Sequence, residues 1–252
     1  MTKQENQKVF FVFFLGGQDA EMCEICKILQ ETNQVFFDKH LCWGARLSEY
    51  RDELNKIGES VPVLIELILD IEPSKNALII DHHGENAGSD KPTSIEQVAS
   101  LLGVRLNRWQ LLIAANDRGW IDGLLKAGAN QEEIQRIRRY DRECQGVTLE
   151  MEGDAEQALK NIKFIGQVAS IQFNHSHTSP IMDRLYGKYR NILVWSPYSV
   201  NFTGDGHYIQ KLKNVLPDSY YGGQLPQRGF WGISQRSEKI DRIILTICRK
   251  EK

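Results

Sequence analysis

The sequence predicts an α/β protein: a mainly parallel, doubly wound sheet in an N-terminal domain, followed by a smaller C-terminal α/β domain. Three observations predict it. Short, unbroken apolar runs such as KVFFVFFLGG (8–17) and NALIIDHH (76–83) have the pattern of strands covered on both faces. Through the first 150 residues such runs alternate with amphipathic segments, as βαβ units require. Beyond about residue 160 the connections lengthen and fill with Gly, Pro and aromatic residues, which marks a second domain.

The elements follow in order. After the first strand, DAEMCEICKILQ (19–30) sets Met22, Ile25, Cys26 and Leu29 at helical spacing, with acids in its first turn. NQVFFDKH (33–40) is a strand, and SEYRDELNKIGES (48–60) a polar helix. VPVLIELIL (61–69) and NALIIDHH are buried strands separated by a turn with Pro73. SIEQVASLLG (94–103) is a helix in which Ser94 and Gln97 can form a capping box. WQLLIAAND (109–117) is expected as a strand, and NQEEIQRIRRYDRE (130–143) as a charged helix. In the second half FIGQVASIQFN (164–174), NILVWSPYSVNF (191–202) and DRIILTICR (241–249) read as strands, with helices at SPIMDRLYGKY (179–189) and HYIQKLKNVL (207–216). The expected division is an N-terminal domain at 1–150, a helical linker at 151–162 and a smaller domain at 163–252.

Composition narrows the function classes. The chain has 252 residues, 41% apolar and 25% charged, with a formal net charge of −2, which describes an ordinary soluble protein without a broad basic grip for nucleic acid. The apolar run near the N-terminus is too short for a secretory signal, and a membrane span needs about 18 or more apolar residues. Five scattered cysteines favour a reducing cytoplasm over a disulfide framework. A soluble cytoplasmic protein without a membrane partner is expected, with room for a homodimer.

In a doubly wound sheet, ligands sit beyond the carboxyl ends of the strands. That rule gives several polar residues one address. The first strand leads to Asp19 and Glu21, the strand at 61–69 carries Glu66 with Asp70 after it, the next ends at Asp81, His82 and His83, and WQLLIAAND ends at Asn116 and Asp117. Carboxylates and imidazoles together suit Mn2+, with Mg2+ or Zn2+ as alternatives, and two adjacent ions could be held. Isolated acids at such ends also serve as helix caps, which is the competing reading for Asp19 and Asp117. Glu66 is more telling, because a carboxylate inside an apolar run needs a partner or a metal.

The stretch LIIDHHG, with an acid-bearing strand before it and IAANDRGW after it, resembles the signature of the DHH phosphoesterase superfamily. The motifs lie within residues 8–120, and the resemblance extends loosely over the remainder. It implies a metal-binding N-terminal domain, a smaller substrate-gripping domain and hydrolysis of a nucleotide, short oligonucleotide or other small phosphate ester. It further implies Asp19, Glu66, Asp81, His82 and Asp117 as metal ligands, with His82, His83 and Asp117 serving catalysis. The family's first motif usually carries two aspartates one residue apart; here Gly17 stands where the first would be, and Glu21 is the candidate replacement. That departure supports an alternative: a degenerate relative that binds metal or nucleotide without turnover.

The second domain adds its own candidates. Gly204 and Gly206 precede a helix that begins near His207, an arrangement able to present N–H groups to an anion or to form a plain turn. SYYGGQLPQRGFWG (219–232) resembles the substrate-contacting, glycine-rich loop of the family without its histidine. Gly222, Gly223, Arg228 and His207 are the substrate-binding candidates, Arg228 for phosphate; Trp231 and its neighbours serve either stacking or packing. His175 and His177 are expected to be structural or substrate-contacting, and Cys23 and Cys26, although spaced C-x-x-C, to be a helix's small apolar residues. RIRRYDR (136–142) is either a solvated face or the border of a cleft for a polyanion.

Overall fold

Phe13 and Leu15 of strand β1 (Phe11–Leu15) face one helical layer while Val12 and Phe14 face another, so the unbroken apolar run follows from burial on both sides. This is a computed structural model, and it describes residues 10–86, 88 and 91–249. The first two residues of the expected strand at 8–17, and Ala87 within the loop after His83, lie outside the described residues. The chain divides into two compact units, Met1–Gln145 and Gly146–Lys252.

In the first unit β1 pairs in parallel with β2 (Val35–Asp38) and β3 (Val61–Ile65), and β3 with β4 (Leu78–Ile80), giving the order β2-β1-β3-β4. Helices α1 (Ala20–Glu31) and α3 (Ser94–Leu102) cover one face, where Met22, Ile25, Ile28, Leu29, Ile95 and Val98 pack on Phe13, Val63 and Ile65. The other face packs on Leu47 and Tyr50, just before the short α2 (Arg51–Leu54); the Tyr50 hydroxyl donates to the carbonyl of Leu15 at 2.6 Å. The polar helix expected over 48–60 is thus one tight turn and one α turn that ends at Leu54, and Gly58 at φ +60° lies in the turn beyond it.

Two expectations fail here for local reasons. WQLLIAAND is not a strand: it lies in α4 (Arg108–Lys126), N-capped by Asn107, whose side chain accepts from the Gln110 N–H while Gln110 reaches back to Asn107. A short apolar run cannot distinguish helix from strand by period, whereas the N-x-x-Q cap in front of it can. The helix breaks at Gly119 and Trp120, the latter at φ +51°, so Asp117 sits in the last turn before the break rather than at a strand end. The cap of α3 also falls one residue earlier than expected: Thr93 is the N-cap, and Glu96, not Gln97, accepts its backbone N–H at 2.8 Å. Helix α5 (Gln131–Cys144) closes the unit.

The second unit begins with α6 (Leu149–Ala158) and builds one sheet in the order β5-β6-β7-β8-β10-β9. Its strands are β5 (Lys163–Ile165), β6 (Val168–Gln172), β7 (Asn191–Trp195), β8 (Val200–Asp205), β9 (Tyr220–Gln224) and β10 (Arg228–Ile233). Only β6 and β7 pair in parallel. Two of the three strands expected here are hairpins, folded at Gly166 in one case and around Ser196–Ser199 in the other. The glycine-rich segment expected as a loop is itself the β9–β10 hairpin. DRIILTICR belongs to α9 (Glu238–Arg249), with Ile244 and Cys248 buried one turn apart. Helices α7 (Ser179–Leu185) and α8 (Gly206–Val215) complete the unit. No helix among the described residues is long and apolar enough to cross a membrane.

Candidate metal centre

Three parallel strands end at one place. After β1 the chain passes through Gly16, where an added Cβ would lie 2.5 Å from the carbonyl oxygen of Glu66, so only glycine lets β1 and β3 close together. Gly17 follows at φ +121°, and a Cβ there would be 3.8 Å from Glu66 Oε2. The position of the missing family aspartate is therefore faced by a longer acid from the neighbouring strand. Glu66 leaves β3 at φ +52°, a conformation that costs a non-glycine residue about 1–3 kcal/mol. Its N–H donates to Ile80, and Ser94 Oγ donates to its Oε1 at 2.7 Å. The same helix N-terminus supplies the Ile95 N–H to Glu21 Oε1 at 3.0 Å. A hydroxyl for Glu66, an otherwise unpaired amide for Glu21 and the positive end of the α3 dipole thus hold the two acids.

His82 and Asp117 complete the cluster. His82 Nδ1 lies 2.8 Å from Asp117 Oδ2, and both side chains are largely buried. Yet neither atom has a hydrogen-bond partner of acceptable geometry, and Glu21 Oε2 is equally buried and unpartnered. These three residues form one group whose ligand atoms lie within 4.8 Å of one another; Glu66, His82 and His83 form a second, sharing His82.

The electrostatics explain why such a group is costly as it stands. Burial, then the charge of Asp19, pushes Asp117 up to about 7. Burial raises Glu21 and Glu66 well above the carboxylate range, with Asp117 next in effect on Glu21 and Glu21 on Glu66. Asp19 is raised by burial and by Asp141. Burial and then Arg118 lower His82, which favours the neutral imidazole that ligates metal. Among the described residues none of Asp19, Glu21, Glu66 and Asp117 pairs with a lysine or arginine.

The remaining candidates are placed differently. Asp19 caps α1 by accepting the Met22 N–H at 2.9 Å, and it belongs to neither ligand group although its charge reaches Asp117. Asp81 also lies outside both groups: its Oδ1 accepts the His83 N–H at 2.8 Å and stands 3.2 Å from His83 Nδ1. His83 is half-exposed and 3.9 Å from Glu66 Oε1. Asp70 lies apart, bonded to Ser48. Glu21 is the member that sequence reasoning held only in reserve; its position in the first helical turn, two residues past Asp19, was the available signal.

In the second unit Arg228 opens β10 with its guanidinium 5.8 Å from the Tyr186 ring and Nη2 buried without a hydrogen-bond partner. Gly223 and Gly222 lie opposite Gly229 and Phe230 in the hairpin, and a Cβ on Gly222 would strike the Phe230 ring at 2.7 Å. His207 is exposed in the first turn of α8, its ring 4.2 Å from that of Tyr208. Of the two readings of Gly204 and Gly206, anion site or plain turn, the structure shows Gly204 paired with Gly229 inside β8 and the Gly206 N–H donating to the Gln227 carbonyl at 3.1 Å. Trp231 is buried, with its N–H on Ser219 Oγ at 2.8 Å. His175 pairs with Asp154 at 2.7 Å, and Cys26 lies against Asp38.

Comparison with solved structures identifies the fold. The DHH domain of a protein assigned to a family of ribosomal proteins aligns with a TM-score of 0.55 over 97% of this chain and 87% of that one, at 12% identity. The chain has the DHH fold. Two further DHH-type neighbours score lower. A pGpG-specific phosphodiesterase from Vibrio gives 0.48, with 14% identity over 94% of this chain and 98% of that one. RecJ from Thermus thermophilus in complex with Mn2+ gives 0.44, with 9% identity over 96% and 52%. No protein-family model and no curated protein matches the sequence. Within this DHH fold the strand-end cluster is a candidate divalent-metal site.

Proposed function

We propose that the chain is a divalent-metal-dependent phosphoesterase of DHH type acting on a nucleotide, short oligonucleotide or other small phosphate ester. One observation carries the reading: Glu21 Oε2, His82 Nδ1 and Asp117 Oδ2 are all buried, mutually close and without hydrogen-bond partners. Three unsatisfied polar atoms around one point are an unfavourable arrangement unless a cation satisfies them. Their N and O chemistry fits a hard or borderline ion, with Mn2+ preferred over Mg2+ or Zn2+. Glu21, His82 and Asp117 would hold one ion and Glu66, His82 and His83 would bound a second position, with Asp19 adding charge nearby. Such an ion polarises a phosphoryl oxygen and lowers the pKa of its water.

The chain's own residues do the rest. Ser94 fixes Glu66, the Ile95 N–H fixes Glu21, and Asp81 orients His83 through both its backbone and its ring. His83, half-exposed, is placed to donate to a phosphate oxygen or a leaving oxygen. Arg228 offers a guanidinium with an unused nitrogen for a substrate phosphate, and Gly222, Gly223 and His207 flank the same unit's substrate surface. All five cysteines are free, in keeping with a reducing, cytoplasmic setting. The roles of the two units as metal-binding and substrate-binding domains are part of this proposal.

The test is turnover by purified protein of a panel of phosphodiesters and phosphomonoesters with Mn2+, Mg2+ or Zn2+. Expected are hydrolysis abolished by EDTA and loss of at least about a hundredfold in His82→Ala, on the scale of removing a catalytic metal ligand. The second reading, a metal- or nucleotide-binding regulator without turnover, is favoured by Gly17 in the place of an aspartate. Metal or nucleotide bound with no hydrolysis of any ester would select it; no metal bound, no nucleotide bound and no hydrolysis would refute both.

A further inference from the structure

The basic segment RIRRYDR contributes to a pocket of about 500 Å³ on the first unit, lined by Lys27, Trp109, Arg136, Arg139, Tyr140 and Glu143. Three helices build it: α1 supplies Lys27, the first turn of α4 supplies Trp109, and α5 supplies the others. Three cations face one acid. Lys27 is already engaged, 2.6 Å from the buried Glu24 and 2.9 Å from the Tyr140 hydroxyl. The two arginines are not so engaged. Arg136 lies over the Trp109 ring at 4.8 Å and has no acid partner, and Arg139 has neither an ion pair nor a hydrogen bond among the described residues. Spaced i and i+3 on α5, they point to the same side. The Trp109 and Tyr140 rings, 5.3 Å apart and tilted by 56°, form the aromatic wall beside them.

We propose that this pocket binds a nucleoside phosphate at a site separate from the acid cluster. Arg136 and Arg139 take the phosphate oxygens, for which a planar guanidinium is suited, and the aromatic wall takes the base. Tyr140 is fixed by its hydrogen bonds to Glu24 and Lys27, so the wall is preorganised. On α1, Lys27 is six residues beyond Glu21, about 9 Å along the helix axis. The pocket therefore lies outside the metal-ligand set, and its ligand needs no metal. A free mononucleotide and a nucleotide within a strand present the same chemistry.

The experiment is titration of the full chain in EDTA with AMP, with a short labelled oligoadenylate and with inorganic phosphate. Expected is saturable binding of AMP or of the strand, weakened about tenfold by Arg139→Ala, the scale of losing one charge-assisted hydrogen bond. Trp109→Leu is expected to weaken it comparably, while Asp117→Asn leaves it unchanged. Arg139→Ala removes an exposed, unpaired side chain, so an unaltered melting temperature shows that the fold is kept. Binding of AMP itself assigns the free nucleotide as sufficient; binding of the strand alone assigns the site to nucleic acid. The proposal is overturned if neither binds, if Arg139→Ala binds as wild type does, or if Trp109→Leu is without effect and phosphate alone competes equally.

Discussion

Two largely buried acids within the first unit stand in opposite circumstances. Asp141 on α5 accepts from Arg138 Nη1 at 2.7 Å, from the Ala20 N–H at 3.2 Å and from Gln145 Nε2 at 3.0 Å. Arg138 in turn donates to Asn116 at 2.8 Å. Asp117, one residue after Asn116, has a buried oxygen with no donor and faces His82 and other acids. The first acid is complete within the protein, and the second is complete only with a cation or a proton. Burial alone therefore does not separate the two acids; whether the buried oxygen has a donor does.

The largest effect should come from spoiling the complete partner. Asp141→Ala removes the carboxylate that the buried Arg138 holds at 2.7 Å and should destabilise the protein by about 3–5 kcal/mol, the usual penalty for breaking a buried pair. Urea denaturation measures it, and a loss below about 1 kcal/mol, the range of an exposed pair, would remove Asp141 from the structural role. At the incomplete site the sign should reverse. Asp117→Asn is expected to stabilise the metal-free protein at pH 8 by about 1–3 kcal/mol, because a carboxylate raised to about 7 no longer has to ionise in place.

That reversal has a pH signature. The folded-state pKa of Asp117 exceeds its unfolded value, so its contribution is fully present below about pH 4 and is lost as pH rises through about 7. Glu21, Glu66 and Asp19 shift the same way. Melting of EDTA-treated protein should therefore fall in temperature between about pH 4 and 7, and Mn2+ should remove most of that fall. A flat profile without metal would contradict the crowding of charge. Smallest is Ser94→Ala, which frees one oxygen of Glu66; about 1 kcal/mol of stability and a severalfold weaker response to Mn2+ are expected.

The residue pattern disclosed the parallel sheet because strands covered on both faces have no polar interruptions, as in Phe11–Leu15. Through motif order it singled out His82, Glu66 and Asp117, which the structure gathers into two candidate ligand groups sharing His82. It misplaced Asp117, since LLIAA suits a strand as well as a buried helix and only the Asn107 cap distinguishes them. It undervalued Glu21, because nothing local distinguishes a first-turn acid that favours the helix dipole from one whose far oxygen meets residues 61 and 96 positions away. In the second unit Gly166-Gln167 and Ser196-Pro197-Tyr198-Ser199 do break the apolar runs, but turns this short leave each pair of strands reading as one long strand.

The central claim is that Glu21, His82 and Asp117 form one metal centre. Calorimetric titration of Mn2+ into metal-free wild type, Glu21→Gln and His82→Ala at pH 7.5, chosen to lie above the Asp117 pKa of about 7, tests it most directly. The account predicts saturable binding to wild type, weakened about a hundredfold or more in Glu21→Gln and abolished in His82→Ala, which removes the ligand common to both groups. Wild type that binds no divalent ion, or Glu21→Gln that binds as tightly as wild type, would contradict it.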